Sequence, residues 1–154
     1  MLSSAISHWN VLTLAGLLCL FVGGCTSKPP VASDSTEARF RLLGRYYGEY
    51  LSAHGGQGPK DEQAFLQYLK EFTQYLQTQG IAQPSDLLVS PRDQQPLHVL
   101  YGRDVIEDGP GGFPWIAYEQ QGVDGKHYLI GARGASIEFS PEEFAEFLSE
   151  HAPQ

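Results

Sequence analysis

Cysteine is close to absent from this chain. Two occur among its 154 residues, Cys19 and Cys25, and both lie near the N-terminus. Nothing after residue 25 can enter an internal disulfide, so the remainder must be held together by packing. Basic residues are also scarce: ten Lys and Arg stand against eighteen Asp and Glu, a formal net charge of −8. That balance argues against a nucleic-acid binder, which neutralises phosphates with clustered cations. It also opposes broad contact with anionic lipid headgroups. Residues 1–24 carry no Lys, Arg, Asp or Glu. No apolar run reaches the ~20 residues that a helix needs to span a bilayer comfortably. No internal repeat recurs at solenoid or propeller periods. Gly-x-Ser-x-Gly, Gly-x-Gly-x-x-Gly and the Walker lysine are all missing, so no cofactor and no catalytic motif is indicated.

What is there begins with the apolar run Val11–Val22, interrupted only by Thr13 and Gly16. It ends in Leu20-Phe21-Val22-Gly23-Gly24-Cys25, and the polar tract Thr26-Ser27-Lys28-Pro29-Pro30 follows. Its length suits a signal-peptide core. Gly23 and Gly24 are small enough for a peptidase to hold the backbone extended, and the thiol that follows them can be acylated. The stretch resembles the lipobox of bacterial lipoproteins, with Cys25 as the lipidated residue. The resemblance implies cleavage before Cys25, palmitate-type acylation and membrane attachment through Cys25 in the cell envelope. Thr26 stands where Asp is associated with inner-membrane retention, which implies the periplasmic face of an outer membrane in a two-membrane cell. Each buried acyl methylene would contribute roughly 0.8 kcal/mol to anchoring. A plain secretory signal with a chance Cys at the cut, or an uncleaved anchor helix, are the competing readings.

The organisation that follows is a signal peptide over 1–24, a lipidated Cys and flexible tether over 25–36, and a single globular domain over 37–152. Pro29-Pro30 favours an extended tether and its Ser residues keep it solvated. A first helix is expected from Asp34 or Ser35, where Asp34 and Glu37 have capping-box spacing. Phe40, Leu43, Tyr47, Tyr50 and Leu51 form its apolar stripe, widened by Leu42 and Tyr46. His54-Gly55-Gly56-Gln57-Gly58-Pro59 breaks it. A second helix is predicted from about Asp61 to Gln79, with Phe65, Tyr68, Leu69, Phe72, Tyr75 and Leu76 on one face and Gly80 just beyond its end. Four strands are then predicted at Leu97–Tyr101, Trp115–Gln120, Lys126–Ala132 and Ala135–Phe139. Asp124-Gly125 marks one hairpin turn. In the next turn Gly134, rather than Arg133, is expected to take the left-handed position. A last helix starts with Ser140 as N-cap, Pro141 at the first helical position and Glu143 closing a capping box. Phe139 and Phe144 have the spacing of a hydrophobic staple, and Phe144, Phe147 and Leu148 make the inward face.

Candidate sites are few. Asp104, Glu107 and Asp108 put three carboxylates in one loop, Arg103–Gly112, as a calcium site requires, though without EF-hand spacing. His98, Glu119 and His127 lie on neighbouring predicted strands and would bind zinc or copper only if they converge. Arg92 and Asp93, adjacent opposite charges in a turn, either pin their loop or meet a partner. Trp115, after Pro114, is either an exposed aromatic for a partner or the edge of the core. A hydrolase built on a carboxylate pair is the least favoured class, because nothing singles out a pair.

The helix–helix layout, then Ser90-Pro91-Arg92-Asp93, Pro114-Trp115-Ile116-Ala117-Tyr118-Glu119 and Gly122-Val123-Asp124-Gly125-Lys126, resembles small lipoproteins of planctomycete-type bacteria. The run from Tyr128 to Ser140 is similar to the last hairpin of pseudopilin-like proteins. Those carry Ala-Asp-Gly where this chain has Ala132-Arg133-Gly134, and they begin with a prepilin motif where this chain has the lipobox. Neither resemblance implies catalytic residues. The fold expected is α+β: two N-terminal helices packed on an antiparallel meander of about four strands, followed by a C-terminal helix. The function expected is a lipid-anchored, non-enzymatic envelope protein that presents a small domain to another envelope protein or organises the envelope. A module binding calcium or a small ligand through residues 103–112 is the alternative.

Overall fold

Helix α1 (Thr36–Ala53) opens the part of the chain that the computed structural model describes, residues 36–102, 109 and 112–151. The predicted signal, Cys25, the tether with its Asp34 cap, and the loop acids Asp104, Glu107 and Asp108 lie outside the described residues. The α1 stripe is buried as its periodicity requires: Phe40, Leu42, Leu43, Tyr46 and Tyr47 are in the core, and Tyr50 and Leu51 pack at its margin. Each such large side chain contributes roughly 1.5–3 kcal/mol by leaving water.

The second helical stretch is shorter-paced than its periodicity suggests. Asp61 caps α2 (Glu62–Leu69), its carboxylate accepting the Ala64 N–H at 2.8 Å. A 3₁₀ turn over Lys70–Phe72 then intervenes, and α3 (Thr73–Thr78) completes the stretch. Phe72 leaves helical geometry at φ −104° and ψ 9°. Its ring meanwhile packs on Tyr46, 4.7 Å between centroids, and on Tyr68, 5.1 Å away. Tertiary packing against α1 here coincides with a break that an apolar stripe alone does not reveal. Phe65, Leu69 and Leu76 are buried, whereas Tyr75 is exposed.

A short 3₁₀ segment (Pro84–Leu88) leads to the sheet. Strands β1 (Leu97–Val99), β2 (Trp115–Glu119), β3 (His127–Gly131) and β4 (Ser136–Phe139) form an antiparallel meander in the order β1-β2-β3-β4. Each is trimmed relative to its apolar run, but none is missing. Opposed residues share a face. His98 opposes Tyr118, Tyr118 opposes Leu129, and Leu129 opposes Ile137. Glu119, opposite Leu97, therefore belongs to the other face together with Tyr128 and Glu138. An irregularity between Trp115 and Ala117 lets one strand serve both faces. Ile116 and Ala117 join the core under α1, while Trp115 joins Leu129, Phe144 and Phe147.

The sheet is thus covered on both sides. The helices α1–α3 lie over one face, and α4 (Pro141–His151) lies over the other. The α4 start follows its sequence signature: Ser140 N–H donates to Glu143 Oε2 at 2.8 Å, and Glu143 N–H donates to Ser140 Oγ at 3.3 Å. The aromatic partner of Phe139 on α4 is Phe147, 6.1 Å away and edge-on, while Phe144 stacks on His127 at 3.9 Å. The chain is an α+β domain of the expected element order. Among the described residues no helix is long and apolar enough to cross a membrane.

One crossing fixes how α1 sits. Gly44 faces the β3–β4 turn so closely that a Cβ there would lie 2.4 Å from Gly134 N and 2.5 Å from Gly131 O. A Cβ on Gly134 would in turn meet the Arg41 Cα and O at 2.6 Å. The turn also differs from expectation. Gly134 is left-handed at φ 89°, but so is Arg133 at φ 71°. For a non-glycine residue this conformation costs about 1 kcal/mol or more. The turn is held from outside: Ala132 N–H donates to Pro114 O at 2.8 Å, and Gly131 N–H to Ala135 O at 2.7 Å. The Arg133 guanidinium lies over the Phe113 ring, 4.3 Å from its centroid.

Candidate functional site

Among the described residues, two places stand out for their polar chemistry. The first lies under the loop before β1. Val89 and Pro96 bridge, Ser90 N–H donates to Gln95 O at 2.9 Å, and Gln94 N–H to Ser90 O at 3.0 Å, so residues 90–95 form a closed turn. Gln94 adopts φ 59° within it. The turn sits over the face of the sheet that carries Glu119, and it directs Ser90 and Arg92 downward.

Glu119 is fully buried, with 0 % exposure, and Ser90 is 1 % exposed. The Ser90 hydroxyl donates to Glu119 Oε1 at 2.6 Å, and Tyr128 N–H donates to Oε2 at 3.0 Å. Ser90 Oγ also accepts the Arg92 N–H at 3.1 Å. Arg92 Nη1 lies 3.3 Å from Glu119 Oε2 and 3.0 Å from Glu138 Oε1. Neither contact has hydrogen-bond alignment, so the attraction is mainly of charge. The guanidinium covers the Tyr128 ring at 4.7 Å, and Lys126 Nζ approaches Glu138 Oε2 at 3.5 Å. Two cations and two carboxylates balance. A carboxylate without solvent exposure, held at both oxygens by its own chain, is not presented to a substrate. The cluster pins the loop to the sheet.

The other sequence candidates are dispersed. His98 and His127 lie on the α4 face of the sheet, opposite to the Glu119 side chain. His98 stacks on Tyr118 at 4.6 Å and His127 on Phe144. His127 Nδ1 contacts the Glu119 backbone O at 2.9 Å, but not its carboxylate. The three do not converge, and no group of three metal-binding side chains forms among the described residues. Trp115 is 7 % exposed and packs edge-on against Phe139 and Phe147. Arg92 is turned inward, with a side-chain exposure of 15 %. Of the turn pair, Asp93 Oδ1 accepts the Gln95 N–H at 3.0 Å, while the buried Oδ2 has no hydrogen-bond partner among the described residues. The Tyr101 hydroxyl is likewise buried and unpartnered there, and burial, with Glu62 and Asp61 nearby, pushes its pKa far up.

The second place is a shallow groove of about 620 Å³ beside the C-terminal half of α1, lined by Arg45, Gly48, Glu49, Ser52, Ala53 and Arg133. Arg45 Nε pairs with Glu49 Oε1 at 2.8 Å. Ser52 Oγ donates to Gly48 O at 2.8 Å. Arg133 faces this groove from the strained turn. Sequence reasoning does not reach it: Arg133 reads only as a turn residue, and its meeting with Gly48 depends on the helix–turn crossing. The Ser90–Glu119 contact was partly readable, because alternation along β2 places Glu119 on the same side as Ala117. No protein-family model, curated protein or solved structure matches the chain.

Proposed function

We propose that the protein is a lipid-anchored component of a bacterial cell envelope whose globular part serves contact with another protein rather than catalysis. The observation that carries the reading is Cys25, placed directly after Val11–Val22 and Gly23-Gly24 and directly before a Pro- and Ser-containing tract. Support comes from the domain itself. Its described part contains no Cys and closes its core on both faces of the sheet. Its buried polar residues Ser90 and Glu119 are occupied by each other and by Arg92 and Tyr128. Such a domain suits presentation at the end of a tether.

Cys25→Ser tests the anchor. Metabolic labelling with palmitate and fractionation of membranes should show loss of label, with the chain released or left unprocessed. Unchanged labelling and membrane retention would remove the assignment. Contact with a partner is tested separately, by cross-linking in intact envelopes and identifying the cross-linked species; absence of any specific adduct counts against it.

A further inference from the structure

We propose that strand β4 pairs antiparallel with β4 of a second copy of this chain, across a two-fold axis at Ile137, so that the two sheets become one. The inference rests on the protein-contact reading and names its partner. It is tested on the purified chain, so its failure would leave both the anchor and a contact with some other envelope protein standing.

Backbone direction comes first. Gly131 N–H donates to Ala135 O at 2.7 Å, and the same alignment continues through the pairs Leu129–Ile137 and His127–Phe139. Antiparallel pairs alternate between those that exchange backbone hydrogen bonds and those that do not. Ile137 and Phe139 therefore turn N–H and C=O toward β3, while Ser136 and Glu138 turn theirs outward. The Tyr128 N–H, opposite Glu138, agrees: it points away from β4 and donates to Glu119 Oε2 at 3.0 Å. β4 is the last strand of the sheet. No hydrogen bond among the described residues engages the outward backbone groups of Ser136 and Glu138.

The edge is also unguarded. Edge strands are commonly blunted by a proline, a bulge or a charge that stands over the edge. β4 holds no proline, and its pairing with β3 runs without a register shift. Its one charge, Glu138, is drawn back over the sheet by Arg92 at 3.0 Å and Lys126 at 3.5 Å. Ile137 is 42 % exposed. At the opposite edge β1 has three residues, and Leu97 and Val99 are buried.

The occupant follows from self-complementarity. When Ile137 opposes Ile137 of the second copy, Glu138 opposes Ser136 on both sides of the axis. Each Glu138–Ser136 pair then exchanges both of its backbone hydrogen bonds. The two Ile137 side chains meet in a pair without backbone bonds, where side chains stand closest. One residue further along, Glu138 would face Glu138, and like charges directly opposite oppose pairing. One residue back, Ile137 would face Ala135, and the outward groups of Glu138 would fall on Gly134 in the turn. The favoured register uses the same strand surface twice, which closes the contact at two copies.

The test is backbone amide exchange, followed by ¹H–¹⁵N NMR on the full chain held one per detergent micelle, from about 10 μM to about 1 mM. Exchange at Ser136 and Glu138 should slow by about tenfold or more as concentration rises, whereas Ile137, bonded to β3, is protected throughout. Sedimentation velocity should show monomer passing to dimer over the same series. Ser136→Pro removes an outward N–H and leaves the β3–β4 ladder intact, so the dimer should be lost while the circular dichroism spectrum is unchanged. Ile137→Lys sets like charges at the axis and should do the same, while Ile137→Val should keep the dimer. Concentration-independent exchange at Ser136 and Glu138, a monomer throughout, or a dimer that survives both Ser136→Pro and Ile137→Lys each overturns the proposal. Full protection of both amides in the dilute monomer overturns it too, because the chain's own residues would then cover the edge.

Discussion

Replacing Gly44 by Ala adds one methyl group to the middle of a helix, and in an exposed helix that change stabilises by roughly 1 kcal/mol. Here the sign should reverse. The new Cβ would lie 2.4 Å from Gly134 N, 2.5 Å from Gly131 O and 2.5 Å from Gly134 Cα. All three atoms are backbone, so no side chain can rotate away. Ordinary contact requires that α1 and the turn separate by about 1 Å, and overpacking of this kind costs typically 1–3 kcal/mol, occasionally more. Separation would also loosen the hydrogen bonds that hold the turn from Pro114 and Ala135. The cost should therefore sit at the upper end. With the helix gain of ~1 kcal/mol subtracted, the net loss is about 2 kcal/mol. For a domain of this size each kcal/mol moves the thermal midpoint by about 4 °C, giving a fall of roughly 8 °C. Circular dichroism melts and urea unfolding measure it. Gly48→Ala is the matched control on the same helix: its Cβ would meet Arg133 N at 3.2 Å and Arg133 Cγ at 3.5 Å. That change should lie within about 1 kcal/mol of neutral, because the helix gain offsets mild crowding. A Gly44→Ala midpoint equal to or above the parent's would refute the crossing geometry.

Other perturbations have equally definite signs. Glu119→Ala should cost about 3 kcal/mol in urea unfolding, since it strips the buried Ser90 hydroxyl and Tyr128 N–H of their acceptor and Arg92 of one of its two acids; Glu119→Gln, which keeps one acceptor oxygen but turns the other into a donor and removes the charge facing Arg92, should cost less, about 2 kcal/mol. Tyr101→Phe should leave stability unchanged or raise it, because the hydroxyl it removes is buried without a partner among the described residues. The backbone and hydroxyl of Ser140 hold the Glu143 pKa below its ordinary value. A carboxylate whose pKa is lowered by folding adds stability at pH above its unfolded value and loses it as pH falls through the folded one. The difference in thermal midpoint between the parent and Glu143→Gln should therefore be constant near neutrality and shrink below the ordinary carboxylate range. A difference that persists at low pH would show that the capping charge is not its source.

Much of the local structure was legible because its causes are local. The α1 stripe, the Ser140–Glu143 box and the Asp124-Gly125 turn each depend on residues within about four positions of one another. In that turn Asp124 at φ 53° and Gly125 at φ 75° give the doubly left-handed geometry that suits a two-residue hairpin. The misses had distant causes. The stripe from Phe65 to Leu76 continues straight through the 3₁₀ turn at Lys70–Phe72, since apolar spacing reports which side faces the core but not how an aromatic ring is seated there. Arg133 was expected to avoid the left-handed region on its intrinsic preference. The connection is instead held by Pro114 and Ala135 and crossed by α1, and that outer frame overrides the preference of one residue.

By itself the sequence determined the acidic charge, the lack of any Cys after Cys25, the apolar run that leads up to it, the order of helices and strands, and where most of them start to within a residue or two. These follow from composition, periodicity and capping, which act along the chain. Only the tertiary structure decided that α4 covers the sheet face opposite α1, and that Ser90, Arg92, Glu119 and Glu138 form one charge cluster while His98 and His127 stay apart from it. Only it brought Arg133 to the groove beside Gly48. Each of these depends on strand register and on how closely two backbones approach, and both are set by residues far apart in sequence.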